Sequence, residues 1–244
     1  MPGRDGTGLR PSGYASRFFE VGYGSLGALY DPIVWMGFAP FGGERRCRET
    51  FVRWARIEPG QHVASLCSGT GSTELALLRL VPDARVVGVD LSERQLSRAR
   101  RKVPSGRVTY LCADASATGL PSGSFDRVLI VMALHEMPRG KRVDVLREAR
   151  RLCRPSGLVT AIEHGAPERA LSRVAQQLCW FLWVPGNPEA RTSRDLVRHG
   201  LDKEMEQAGL SVVERHHTRP AWIQGIVARP FGPLDPSAAL GVPA

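Results

Sequence analysis

The chain has 244 residues, 43% apolar and 23% charged, which suits one large domain, or one domain with an extension, and excludes a wholly disordered chain. No apolar run nears the roughly 20 residues of a membrane span, and residues 1–16 lack an apolar signal core, so a cytoplasmic protein is expected. Five cysteines without a Cys-x-x-Cys pair speak against a disulfide scaffold or zinc ribbon, and the net charge of +9 favours anionic partners, although its arginines are spread along helices as on a solvated face.

Residues 1–13 hold six Gly and Pro and read as a flexible start. Residues 14–58 are rich in aromatics, including Tyr14, Tyr23 and Tyr30, and read as a helical extension. Strands and helices then alternate. Strands are predicted at Val63–Leu66, Arg85–Val89, Val108–Cys112, Phe125–Met132 and Leu158–Glu163. Helices are predicted at Ser72–Val81, Glu93–Lys102 with Ser92 as N-cap, and Lys141–Cys153, the last stopped by Pro155 and Gly157. Further helices are expected at Glu168–Val184 and Ser193–Ala208, then two strands at Leu210–His217 and Trp222–Arg229 and a loose tail at 230–244. The fold expected is α/β: a Rossmann-like, seven-stranded, mostly parallel sheet with helices on both faces and an antiparallel C-terminal hairpin, spanning residues 59–229.

The sharpest motif is Val63-Ala64-Ser65-Leu66-Cys67-Ser68-Gly69-Thr70-Gly71, a strand entering a glycine loop that opens a helix. The glycines allow a tight turn and close approach of a ligand to the main chain. The second strand ends in Asp90, whose carboxylate can accept from both hydroxyls of a ribose. Together they point to an adenosine-type cofactor on the carboxyl edge of the sheet. A dinucleotide fits less well: Glu74 stands where its fingerprint has a third glycine, and a carboxylate there would repel pyrophosphate.

A third element, Cys112-Ala113-Asp114-Ala115 followed by Leu120-Pro121 and Ser124-Phe125-Asp126, completes a pattern. With LCSGTG, VVGVDLSERQL and VLREARRLCRPSG, it resembles the class I S-adenosylmethionine-dependent methyltransferases, in particular the ubiquinone and menaquinone C-methyltransferase branch, over about residues 60–165. The resemblance implies S-adenosylmethionine as cofactor. Gly69, Gly71 and the main chain at Cys67 would cradle its methionine part. Asp90 would hold the ribose, Leu91 would pack on the adenine, Asp114 would accept from the adenine amino group beside Ala115, and Met132 would lie near the methionine end. The family usually has an acid near the cofactor's ammonium where this chain has Ser65, and glycine where it has Cys67. The segment before the first strand would form a lid carrying Tyr14, Tyr23 and Tyr30.

Methyl transfer needs an aligned acceptor, and a base only where the acceptor must lose a proton. His135, in the loop after the fourth strand, is the first candidate, either as base or, as the reading leans, as a positioning group. His164, at the end of the fifth strand, is the second. Trp180 and Trp183 suggest an apolar substrate or a peripheral membrane contact. His216-His217 has no third ligand nearby, so no metal is expected. The expected activity is methylation of a small, lipophilic molecule: a quinone precursor, a secondary metabolite or a lipid headgroup. An RNA methyltransferase is disfavoured, because there is no Asn/Asp-Pro-Pro-Tyr/Phe tetrapeptide, catalytic Pro-Cys or RNA-binding module. A non-methylating member of the same fold is the other alternative, kept open by Ser65.

Overall fold

The computed structural model describes residues 38–39, 42–103, 106–167, 169–183, 188–218 and 222–232. The flexible start, the lid with Tyr14, Tyr23 and Tyr30, and most of the tail lie outside these residues. The elements run α1 (Glu44–Trp54), β1 (His62–Leu66), α2 (Ser72–Leu80), β2 (Arg85–Asp90), α3 (Glu93–Lys102), β3 (Val108–Cys112), β4 (Phe125–Val131), a single 3-10 turn (Leu134–Glu136), α4 (Arg139–Leu152), β5 (Cys153–His164), α5 (Ala170–Trp183), α6 (Pro188–His199), α7 (Leu201–Gln207), β6 (Leu210–His217) and β7 (Ile223–Pro230).

The seven strands form one sheet in the order β3-β2-β1-β4-β5-β7-β6. The pairs from β3 to β5 are parallel, and β7 runs antiparallel to both β5 and β6. Alternation along each strand splits the core. Ala64, Val128, Ile130 and Ala161 face one side, against Leu146 and Ala149 of α4 and Met205 of α7. Val63, Leu129, Val131 and Ile162 face the other, against Phe51 of α1 and Leu77 of α2. Strands covered on both faces read as unbroken apolar runs, which is why β4 stood out in the sequence. On the second face α1 seals the sheet: Trp54 lies flat against Gly225 of β7 and stacks on His216 at 5.2 Å.

Two expectations require correction. Pro155 and Gly157 do not lie in a loop between helix and strand; α4 ends at Leu152 and β5 begins at once, at Cys153. The register with β4 slips between the pairs Phe125–Cys153 and Arg127–Leu158, so the Pro-Ser-Gly stretch sits in a bulge. A side chain at 157 would meet the Asp126 carbonyl at 2.7 Å, which explains the glycine there. The single helix expected over Ser193–Ala208 is two helices, α6 and α7, broken at Gly200, whose φ is +97°. The Ser92 cap of α3 is present, its hydroxyl accepting from the Gln95 N–H at 3.3 Å.

Candidate active site at the carboxyl edge of the sheet

The parallel registers bring the ends of β1, β2, β3, β4 and β5 to one edge, and the strand order turns outward in both directions from β1 and β4. A crevice opens at such a switch point. Of the three non-glycine residues with positive φ among the described ones, two follow these central strands: Cys67 (φ +59°) after β1 and Met132 (φ +53°) after β4. Left-handed backbone at a non-glycine residue costs free energy and persists where surrounding structure enforces it, commonly at functional sites.

The loop after β1 is fixed from both sides. Ser68 N–H donates to the Val89 carbonyl at 2.9 Å. Gly69 N–H donates to Asp90 Oδ2 at 2.8 Å, while Ser92 N–H donates to Oδ1 at 2.9 Å. Lys102, from the end of α3, donates to the Thr70 and Ser72 hydroxyls at 2.8 and 3.1 Å. A Cβ on Gly71 would meet the Tyr110 hydroxyl at 2.9 Å and Ala99 at 3.0 Å, so α2 can start there only on glycine. A Cβ on Gly69 would meet nothing within 4 Å, leaving its main chain open to a ligand. Asp90 therefore braces the loop and lines the edge. Burial raises its carboxyl above the usual range, against the pull of the Ser92 and Gly69 amides.

Ser65 takes a different part from the one the resemblance implied. It is buried, and its hydroxyl and that of Ser68 hydrogen-bond the carboxylate of Glu74, which lies wholly inside the protein. Glu74 is raised by burial, and its Oε2 has no hydrogen-bond partner. Ser65 thus packs against an acid from the first turn of α2, inside the protein.

After β3, Asp114 is half-buried beside buried Ala115. Its Oδ1 accepts from the Ser116 amide and hydroxyl, and its Oδ2 from Lys141 Nζ at 2.6 Å. Burial alone would raise this carboxyl; Lys141 and Ser116 outweigh it and hold it below the usual range. Leu91 is half-buried beyond Asp90.

The centre of the edge is a carboxylate sequence reading had not assigned. Glu163 is 0% exposed and binds the loop after β4. Its Oε1 accepts from the Ala133 and Leu134 amides at 2.7 and 2.6 Å, and its Oε2 contacts His135 Nδ1 at 2.8 Å and the His164 amide at 3.3 Å. Burial would raise Glu163, but His135, His164 and the Ala133 amide prevail and hold it below the usual range. A carboxylate only accepts, so Nδ1 of His135 carries the proton and Nε2 has the lone pair. His164 lies edge-on to His135 with ring centroids 4.5 Å apart, and burial, then His135, pushes it down to about 3. The two candidate histidines are therefore adjacent but different: one paired to a carboxylate, the other held neutral.

The same loop is anchored from below. Arg142 of α4, fully buried, binds Glu204 of α7 through two contacts at 2.5 and 2.7 Å, Asp195 of α6 at 2.7 Å and the Met137 carbonyl at 2.8 Å. Trp180 and Trp183 belong to α5 by their backbone; their side chains lie outside the described residues. His216 stacks on Trp54 and contacts Glu214 at 3.2 Å, and among the described residues no group of three His, Cys, Asp or Glu is placed to hold a metal ion.

The donor set fits S-adenosylmethionine. The Cys67 thiol is raised well above its ordinary value, first by burial and then by the charges of Asp90, Glu136, Glu163 and Asp114. The negative charge felt at Cys67 favours a cationic ligand, such as a sulfonium with an ammonium, over pyrophosphate.

Comparison with known proteins agrees. Residues 63–157 match the methyltransferase domain family. The chain is 31% identical over 193 residues to an uncharacterized methyltransferase of Synechocystis sp., covering 77% of this chain and 84% of that protein. It is 32% identical over 127 residues to the ubiquinone/menaquinone biosynthesis C-methyltransferase of Paracoccus denitrificans, of which it spans only half the length and which covers 50% of this chain. Among solved structures, the SAH-bound methyltransferase of calicheamicin biosynthesis superposes with a TM-score of 0.66 at 21% identity, over 87% of this chain and 60% of that one, which speaks for the fold. Glycine loop, strand-end acid and relatives converge: the chain belongs to the class I S-adenosylmethionine-dependent methyltransferases.

Proposed function

We propose that the chain methylates a small, lipophilic acceptor of the quinone-precursor kind at a position that gives up a proton, with His135 as the base. The observation that carries this reading is the His135–Glu163 pair, 2.8 Å apart at the carboxyl edge, with Glu163 wholly buried. A phenol, a quinol or an activated ring carbon must shed a proton around transfer, whereas a free amine or an existing anion needs only alignment. A carboxylate on Nδ1 orients the ring, puts the basic lone pair on Nε2, and stabilises the imidazolium that results. That arrangement moves the balance from a purely positioning His135 to a base.

S-adenosylmethionine, when bound, supplies an electrophilic methyl group on its sulfonium. Gly69 and the turn into Gly71 would hold its methionine part, Asp90 would take the ribose, and Asp114, held ionised by Lys141, would accept from the adenine amino group. His135 receives the acceptor's proton, and the Arg142 network keeps its loop in place. The names of relatives such as the enzyme of Paracoccus denitrificans support a quinone-type acceptor.

The test is turnover of a reduced naphthoquinone and phenol panel, read by mass spectrometry as gain of one methylene, with kcat followed against pH for wild type and His135→Gln. The base reading expects an acid limb in wild type, lost in the variant with a fall of about 10²–10⁴ in kcat. A variant with unchanged kcat and raised KM would return His135 to positioning alone.

A further inference from the structure

Helix α5 leaves the site directly, starting six residues after His164, and is tied to it by Gln176, whose buried Nε2 donates to the Gly165 carbonyl at 3.0 Å. Its opposite side is exposed. Leu171 is 82% exposed, Val174 53% and Leu178 53%, and steps of three and four place them on one stripe. The helix contains no acidic residue, and Arg173 is its single charge. The next helix in the chain, α6, exposes Arg191, Arg194 and Arg198 at the same spacing. An apolar stripe in water is unfavourable unless something covers it. Exposed apolar side chains accompanied by exposed arginines, on a chain of net charge +9, match the chemistry of an anionic lipid surface, with acyl chains for the leucines and headgroup charge for the arginines.

We propose that α5 docks by its Leu171–Val174–Leu178 face on anionic lipid, drawn there by the arginines of α6. The site would then sit beside the bilayer, where a lipophilic acceptor dissolves. This route for the acceptor rests on the proposed function; the docking does not, and it is tested without any acceptor. No helix among the described residues is long and apolar enough to cross a membrane, so the attachment is peripheral.

The experiment is sedimentation of the full chain with vesicles of phosphatidylcholine alone and with phosphatidylglycerol added. Wild type should partition onto the anionic vesicles, fall off as salt rises, and stay in solution with the neutral ones. The double variant Leu171→Glu/Val174→Glu should lose at least tenfold in partition, and Arg191→Glu/Arg194→Glu/Arg198→Glu about a hundredfold. All changed side chains are exposed, and unchanged thermal unfolding and S-adenosylhomocysteine affinity would show that each variant is folded. Absence of wild-type binding, equal binding to both vesicles, or binding that survives the Leu171/Val174 change overturns the proposal. A wild-type dimer that this variant renders monomeric would overturn it in favour of a second copy, and arginine-dependent capture of RNA without vesicle binding in favour of nucleic acid.

Discussion

Replacing Glu163 by Gln isolates the function of one buried carboxylate with almost no change in volume. The amide oxygen can still accept from the Ala133 and Leu134 amides, but as a neutral group; bonds to a charged acceptor contribute about 1.5–3 kcal/mol and neutral ones about 0.5–1.5, so these two contacts lose about 2 kcal/mol together. On the other side an NH2 faces two donors, His135 Nδ1 and the His164 amide. His135 can escape by moving its proton to Nε2, which removes the lone pair needed for a base; the His164 amide cannot, and an unsatisfied buried donor adds about 1–2 kcal/mol. The expected destabilisation is about 2–4 kcal/mol, read by urea or thermal unfolding, together with a fall of about 10²–10⁴ in kcat. Because Glu163 is held below the usual carboxylate range, its contribution is complete above roughly pH 4.3 and is lost as pH falls through its folded value. The stability gap between wild type and variant should therefore narrow in acid. If Glu163 acts through His135, adding His135→Gln to Glu163→Gln should lower kcat little further. Loss of stability with unchanged kcat would refute the reasoning and leave Glu163 as a loop anchor only.

Asp90→Ala should weaken S-adenosylhomocysteine binding by removing charge-assisted contacts of about 1.5–3 kcal/mol each and freeing the Gly69 amide; unchanged calorimetric affinity in a folded variant would sink the assignment. Arg142→Met leaves Glu204 buried without its cation, and should cost about 3–5 kcal/mol in denaturant unfolding. His164, neutral when folded down to about pH 3 but protonated below roughly 6.5 when unfolded, should make wild type lose up to about 1.4 kcal/mol of stability per pH unit between those values, and His164→Phe should flatten that slope. Glu74, raised by burial, carries the opposite sign: Glu74→Gln should be neutral in acid and stabilising above neutral pH, as thermal unfolding at both would show.

The sequence made the scaffold legible because two local signals agreed. Apolar runs such as Phe125–Val131 marked buried strands, and the glycines after β1 marked a turn that no side chain could fill, as the clash of a Cβ at position 71 with Tyr110 bears out. The bulge at Pro155–Gly157 and the break at Gly200 were missed for the opposite reason: a stop signal says where regular structure yields, not whether a strand, a bulge or another helix follows. In the site, His135 and His164 could be named from their places at strand ends, but their partnership could not. Glu163 adjoins His164 in sequence and lies 28 residues from His135, and only the parallel register of β4 with β5 brings it under the loop. One signal was there to be used: an acid in an otherwise apolar strand end demands buried partners.

The position of β7 bears on which strands of the sheet are left open at its margins. β5 is buried on both faces and largely apolar from Leu158 to Ile162, and would make a long, sticky margin if left unpaired. It is covered along Val159–His164 by a strand that arrives some sixty residues later and runs the opposite way. The true margins fall to β3, which is half-exposed, and to β6, whose Glu214, Arg215, His216 and His217 make a polar rim hostile to strand addition. Until Ile223–Pro230 has been synthesised and laid in place, β5 stays open to a neighbouring molecule. Shortening the chain before β7 would therefore do more than remove a hairpin: it would leave β5 as an open, apolar edge and favour aggregation through it.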